Sequence, residues 1–124
     1  MHTTTLETNY TNEFHQACFK GDLESASNFL KLGVNLNVKF ENGKNLLHIA
    51  CSNNFYGLVS LLMKFGMNEF VRDNLGRTPL HYSALYGNTS IVRYLIERNT
   101  FKYGIYGTLT KEYTISYHIF RDYI

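Results

Sequence analysis

Residues of one chemical kind return every 33 positions along this chain. His15, His48 and His81 keep that interval, as do Gly43 and Gly76, Leu47 and Leu80, and Cys18 and Cys51. Ala17 and Ala50 are followed by another small residue, Ser83, and Asn12 and Asn45 by Thr78. The apolar positions obey the same register: Ala26, Val59, Val92; Phe29, Leu62, Leu95; Leu30, Met63, Ile96; and, with one polar member, Ser25, Leu58, Ile91. Such a period describes one supersecondary unit repeated, each copy burying its apolar face only against its neighbours. So many independent positions in step carry far more weight than any short motif.

Within the unit, the stretch Asn74 to Ala84 sets the local geometry. Gly76 supplies a turn position at positive φ. Thr78 has the hydroxyl that caps a helix start, and Pro79 sits where a missing N–H costs nothing. Leu80, Ser83 and Ala84 follow on one face with small residues for close packing. The chain in order repeats this plan. Phe14, Ala17 and Cys18 share a helical face from a start at Asn12, and Gly21-Asp22 breaks and recaps the chain. Leu23, Ala26, Phe29 and Leu30 make a second short helix ended by Gly33. Asn45 caps the next pair, with Leu46, Leu47, Ala50 and Cys51, then Leu58, Val59, Leu62 and Met63, ended by Gly66. The third pair runs from Thr78 to Asn99.

A period of 33 carrying Thr78-Pro79-Leu80-His81 resembles the ankyrin repeat. The resemblance implies an all-α solenoid of paired short helices with hairpin-like finger turns, the fingers lying near residues 38–43 and 71–76. It divides the chain into a flexible leader at 1–11, repeats at about 12–41, 42–74 and 75–99, and a degenerate cap or tail at 100–124. Leu32 to Asn37 resembles the family's connecting segment. Two departures stand out. Asn45-Leu46 replaces Thr-Pro, which predicts a weaker helix start, and Asn99 replaces the closing glycine. In the tail, Leu109, Tyr113, Tyr117, Phe120 and Ile124 fit one helical face, a candidate cover for the third repeat's flank.

Composition restricts the chemistry. A net charge of +2 with no dense basic run gives no argument for nucleic acid, and no apolar run is long enough for a membrane helix. Two cysteines without a secretory signal suggest an intracellular setting, cytoplasm or nucleus. Equivalent positions in stacked repeats lie roughly 8–10 Å apart. That is too far for the three histidines to form a four-ligand zinc site, or for Cys18 and Cys51 to bridge. The imidazoles are expected to bond backbone groups of the adjacent finger. No phosphate loop, carboxylate dyad or metalloprotease pattern occurs, so neither enzyme activity nor a cofactor or metal is expected.

What remains is a surface. The resemblance implies a partner protein bound on the concave side, by finger tips and first helices. Carried over position by position, this gives Lys39, Glu41, Asn42, Lys44, Arg72, Asn74, Leu75 and Arg77 on the fingers. On the helices it gives Phe19, Lys20, Ser52, Asn53, Leu85 and Tyr86. Apolar, aromatic and arginine side chains on one such face exceed what a solvated surface requires. The expected function is a protein–protein interaction module. The alternatives are a regulatory or targeting fragment of a larger enzyme, and a self-associating unit that dimerises through its tail.

Overall fold

The structure, a computed structural model, describes the backbone of residues 2–103 and the side chains of residues 10–98. The α-helices of the described residues come in pairs: α1 His2–Lys20 with α2 Leu23–Lys31, α3 Leu46–Ser52 with α4 Tyr56–Lys64, and α5 Pro79–Leu85 with α6 Thr89–Tyr103. α1, α3 and α5 pack side by side as one row, and α2, α4 and α6 as a second row behind it. The 33-residue register becomes stacking between the rows. Ala26, Val59 and Val92 are fully buried, as are Phe14 and Leu47, with Leu80 nearly so. Truncating a core leucine such as Leu47 or Leu62 to alanine would cost about 2–5 kcal/mol.

The helix starts follow from caps. Asp22 accepts from the Ser25 N–H at 3.2 Å. Asn45 and Thr78 each form a reciprocal box: the cap side chain takes the N–H of the histidine three residues on, and that imidazole takes the cap's own N–H. The Asn45 cap closes at 2.9 Å and the Thr78 cap at 3.4 Å. The expected weakness of the Asn45-Leu46 start therefore does not arise at the cap, because an amide oxygen reaches the N–H at least as well as a hydroxyl.

Three sequence expectations are corrected. Helix α1 begins at His2, not Asn12, so Asn12 lies mid-helix and caps nothing; no glycine or proline occurs before Gly21 to interrupt it. Helix α6 runs past Asn99 to Tyr103, since asparagine ends a helix only where the chain turns left-handed there. His15, third, makes no finger bond through its Nε2. The tail reading at 104–124 lies outside the described residues.

Each finger is a tight turn closed by two backbone bonds. In the first, Phe40 N donates to Lys44 O at 2.7 Å and Gly43 N to Phe40 O at 3.0 Å; in the second, Asp73 N donates to Arg77 O and Gly76 N to Asp73 O, both at 2.9 Å. The two fingers join edge to edge through Asn74 N and Asn42 O at 2.8 Å. Gly43 sits at that seam with φ +74°, and a β-carbon there would lie 2.5 Å from the Asn74 side-chain oxygen. Gly43→Ala meets both the left-handed backbone cost and a finger that would have to move aside. It should destabilise by more than about 1 kcal/mol, measured as a lower urea midpoint, and more than the matching change at Gly76, where a β-carbon would meet nothing within 4 Å.

Candidate functional site

The fingers owe their position to buried groups beneath them. His48 is fully buried. Its Nδ1 accepts the Asn45 N–H at 2.9 Å, so the proton must sit on Nε2, which donates to Arg77 O at 2.8 Å. One neutral imidazole thus ties the start of α3 to the second finger, as expected from the sequence. Burial holds its pKa below 6.5. His81 keeps the same Nδ1 role toward Thr78, and the positions one repeat beyond the second finger lie outside the described residues. His15 departs from this pattern. Its ring meets Phe40 edge-on at 4.9 Å, and its Nε2 is buried without a hydrogen-bond partner.

The two fingers are anchored by different chemistry. Phe40 in the first occupies the position that Asp73 holds in the second. Phe40 packs edge-on against Phe19 at 5.3 Å as well as against His15. Asp73 is buried and accepts from Leu75 N at 3.0 Å, from Arg77 N at 2.9 Å and from the Tyr82 hydroxyl. Burial alone would raise its pKa, but these donors outweigh burial and hold the carboxyl below its ordinary value. Tyr82 is buried, its hydroxyl pushed up by burial and by the Asp73 carboxylate. Lys44 Nζ stands 5.1 Å and Arg77 Cζ 5.6 Å from its ring centroid. Asp73, Tyr82 and Phe40 were not among the residues singled out from sequence. An Asp three residues before a turn glycine, and a Tyr between two core positions that needs a hydroxyl partner, were the available signals.

The surface residues named from sequence divide. Leu75 is 67% exposed and Tyr86 59% exposed, at the second finger tip and the end of α5. Leu85 and Arg77 are half-buried, and Arg72 and Asn74 are exposed. On the first finger Lys39 and Glu41 are exposed and Lys44 half-buried, while Asn53 is exposed where α3 ends. Phe19 belongs to the Phe40 cluster. Lys20 lines a cleft between α1 and α2, with Glu13, Gln16 and Asp22 among its neighbours. Cys18 and Cys51 are free and buried, and burial pushes both thiols up to about 12. Among the described residues no group of three His, Cys, Asp or Glu could hold a metal ion, and no helix is long and apolar enough to cross a membrane.

Helix pairs in two rows, capped by a histidine box and joined by edge-paired fingers, define a helical repeat solenoid. A family model described as ankyrin repeats in three copies matches residues 14–105, and the chain belongs to that family. Similar curated proteins include the target of rapamycin complex 2 subunit AVO2 of Saccharomyces cerevisiae, 41% identical over 49% of this chain and 14% of that protein. Palmitoyltransferase AKR1 of Lachancea kluyveri is 33% identical over 69% of this chain and 12% of its own length. The putative ankyrin repeat protein FPV219 of fowlpox virus is 30% identical over 72% and 21%. The chain therefore matches about a fifth or less of each of these relatives. Ankyrin repeats generally serve as protein–protein interaction modules and are typically non-catalytic, although AKR1 joins them to a transferase.

Two predictions come from the buried groups. His15, His48 and His81 all have folded pKa values below 6.5. The unfolded chain takes up these protons first as the pH falls. Stability from these sites is fully present above about pH 6.5 and is lost as the pH drops through the lowered values. Urea midpoints should fall between about pH 7.5 and about pH 5.5, less steeply in His15→Phe, which removes one titrating group without removing a hydrogen bond. Separately, Tyr82→Phe should cost about 1.5 kcal/mol, the lower end for a hydrogen bond to a charged group, because Asp73 keeps its two backbone donors. Chemical denaturation would read this.

Proposed function

We propose that this chain is a non-catalytic binding module whose partner protein lies against the finger tips and the ends of the first helices. The residues involved are Phe19, Lys39, Glu41, Lys44, Asn53, Arg72, Asn74, Leu75, Arg77, Leu85 and Tyr86, with Lys20 at the margin. The observation that carries the reading is the contrast between a rigid base and an apolar tip. His48 and Asp73 fix the second finger, while Leu75 at its tip and Tyr86 at the end of α5 are exposed to solvent. Side chains held in place without a partner lose little freedom on binding, and exposed aromatic and leucine side chains supply the anchors. The two free, buried cysteines favour an intracellular location.

The lengths of the relatives favour a second reading, in which such an array is the targeting part of a larger protein. AKR1 offers the example of repeats joined to an enzyme, and AVO2 that of a subunit in a complex. Self-association through the tail would involve residues outside those described. The test of the first reading is a pull-down from native extract with the double variant Leu85→Ala/Tyr86→Ala. Partner capture should be lost while the far-ultraviolet circular dichroism spectrum stays unchanged. Capture that survives with an unchanged spectrum would move the partner to another surface.

A further inference from the structure

The cations of the finger face repeat with the fold. Lys39 and Arg72 are one repeat apart, and so are Lys44 and Arg77. The solenoid therefore lays two rows of positive charge across its fingers. Among the described residues, the finger turns 38–44 and 71–77 carry these four cations against one exposed carboxylate, Glu41. Asp73 lies close by but is buried and directs its oxygens to three protein donors. Its charge is thus drawn inward. Lys44 and Arg77 rest on the Tyr82 ring, which holds two long side chains near the surface before any partner arrives. After burial, Arg72 and Arg77 lower His81, whereas at His48 the Asp73 carboxylate opposes the smaller influence of Lys39.

The second finger and the helix that follows it also present apolar side chains to solvent. Leu75 lies between Asn74 and Arg77 on the finger, and Tyr86 and Leu85 close the end of α5. From this combination we propose that the face takes an acidic, extended segment of another protein, its carboxylates meeting Lys39, Arg72, Lys44 and Arg77 and an apolar side chain seated against Leu75, Leu85 and Tyr86. The proposal rests on the finger face being the binding surface and adds the chemistry of what binds. An acidic segment gains approach rate and register from the charges, and hold from the apolar anchor. A nucleic-acid strand fits less well, because Glu41 interrupts the cations and the chain's net charge is only +2.

A random peptide library displayed on phage, panned against the whole chain, tests both levels. Enriched peptides should carry several Asp or Glu residues around one aromatic or leucine, and their affinity should fall as salt is raised. The double change Lys39→Glu/Arg72→Glu should abolish their binding, and Lys39→Gln alone, which leaves the backbone bonds untouched, should weaken it several-fold. Neutral or basic peptides that are lost on Leu85→Ala/Tyr86→Ala would overturn the charge assignment and leave the face standing. Acidic peptides that survive both double changes, in protein with an unchanged circular dichroism spectrum, would remove the face itself. A thymidine homopolymer that binds through Lys39 and Arg72, with no acidic peptide enriched, would replace the protein segment by a nucleic acid.

Discussion

The hydrogen bond from the buried His48 Nε2 to the Arg77 carbonyl fixes how one repeat sits on the next. It exists only in one tautomer, and that tautomer is set by the Asn45 N–H on the other ring nitrogen. Cap, helix start and neighbouring finger are therefore one unit, and moving any of them disturbs the other two. Because the ring is buried, there is no water to take over the bond. The finger face described above inherits its rigidity from this arrangement, since Arg77 carries a carbonyl held by His48 and a guanidinium lying over Tyr82.

Much of this was legible in the sequence because a repeat states each fact several times. The stacking of Ala26, Val59 and Val92, the caps at Asn45 and Thr78, and the reach of His48 to the next finger all follow from positions in step. The misreadings fell where residues alike in type stand in different surroundings, or where the copies differ. Asn12 matched Asn45 and Thr78 in type, yet nothing upstream broke the helix, so the potential cap stayed inside α1. His15 matched His48 and His81, but its environment is Phe14, Phe19 and Phe40, and no alignment of histidines reveals the rings around one of them. Asp73 was overlooked because its equivalent is Phe40, and a register that compares like with like passes over a pair so unlike.

The candidate site was legible as a set of exposed positions and less so as an arrangement. Family spacing places Leu75, Leu85 and Tyr86 near one another, and their exposure agrees with that placement. It does not reveal that Lys44 and Arg77 converge on one tyrosine ring, because that contact depends on the partner of the Tyr82 hydroxyl. Nor does it indicate that Lys20 borders the α1/α2 cleft beside Glu13 and Asp22, where neighbouring carboxylates offset its charge.

The replacement of Asp73 by Phe40 from one finger to the other has a consequence for how the array opens. The Phe40 anchor carries no charge of its own and meets acid only through the His15 imidazole packed against it, whereas an anchor made of a carboxylate and three donors weakens as the carboxylate is protonated. Because the Asp73 carboxyl is held below its ordinary value, acid below the usual carboxylate range would release its bonds, and the amide hydrogens at Leu75 and Arg77 would then exchange while those of Gly43 and Lys44 kept their backbone acceptors. The solenoid thus has a built-in order of local opening, set by a single change of side-chain chemistry between two otherwise equivalent turns.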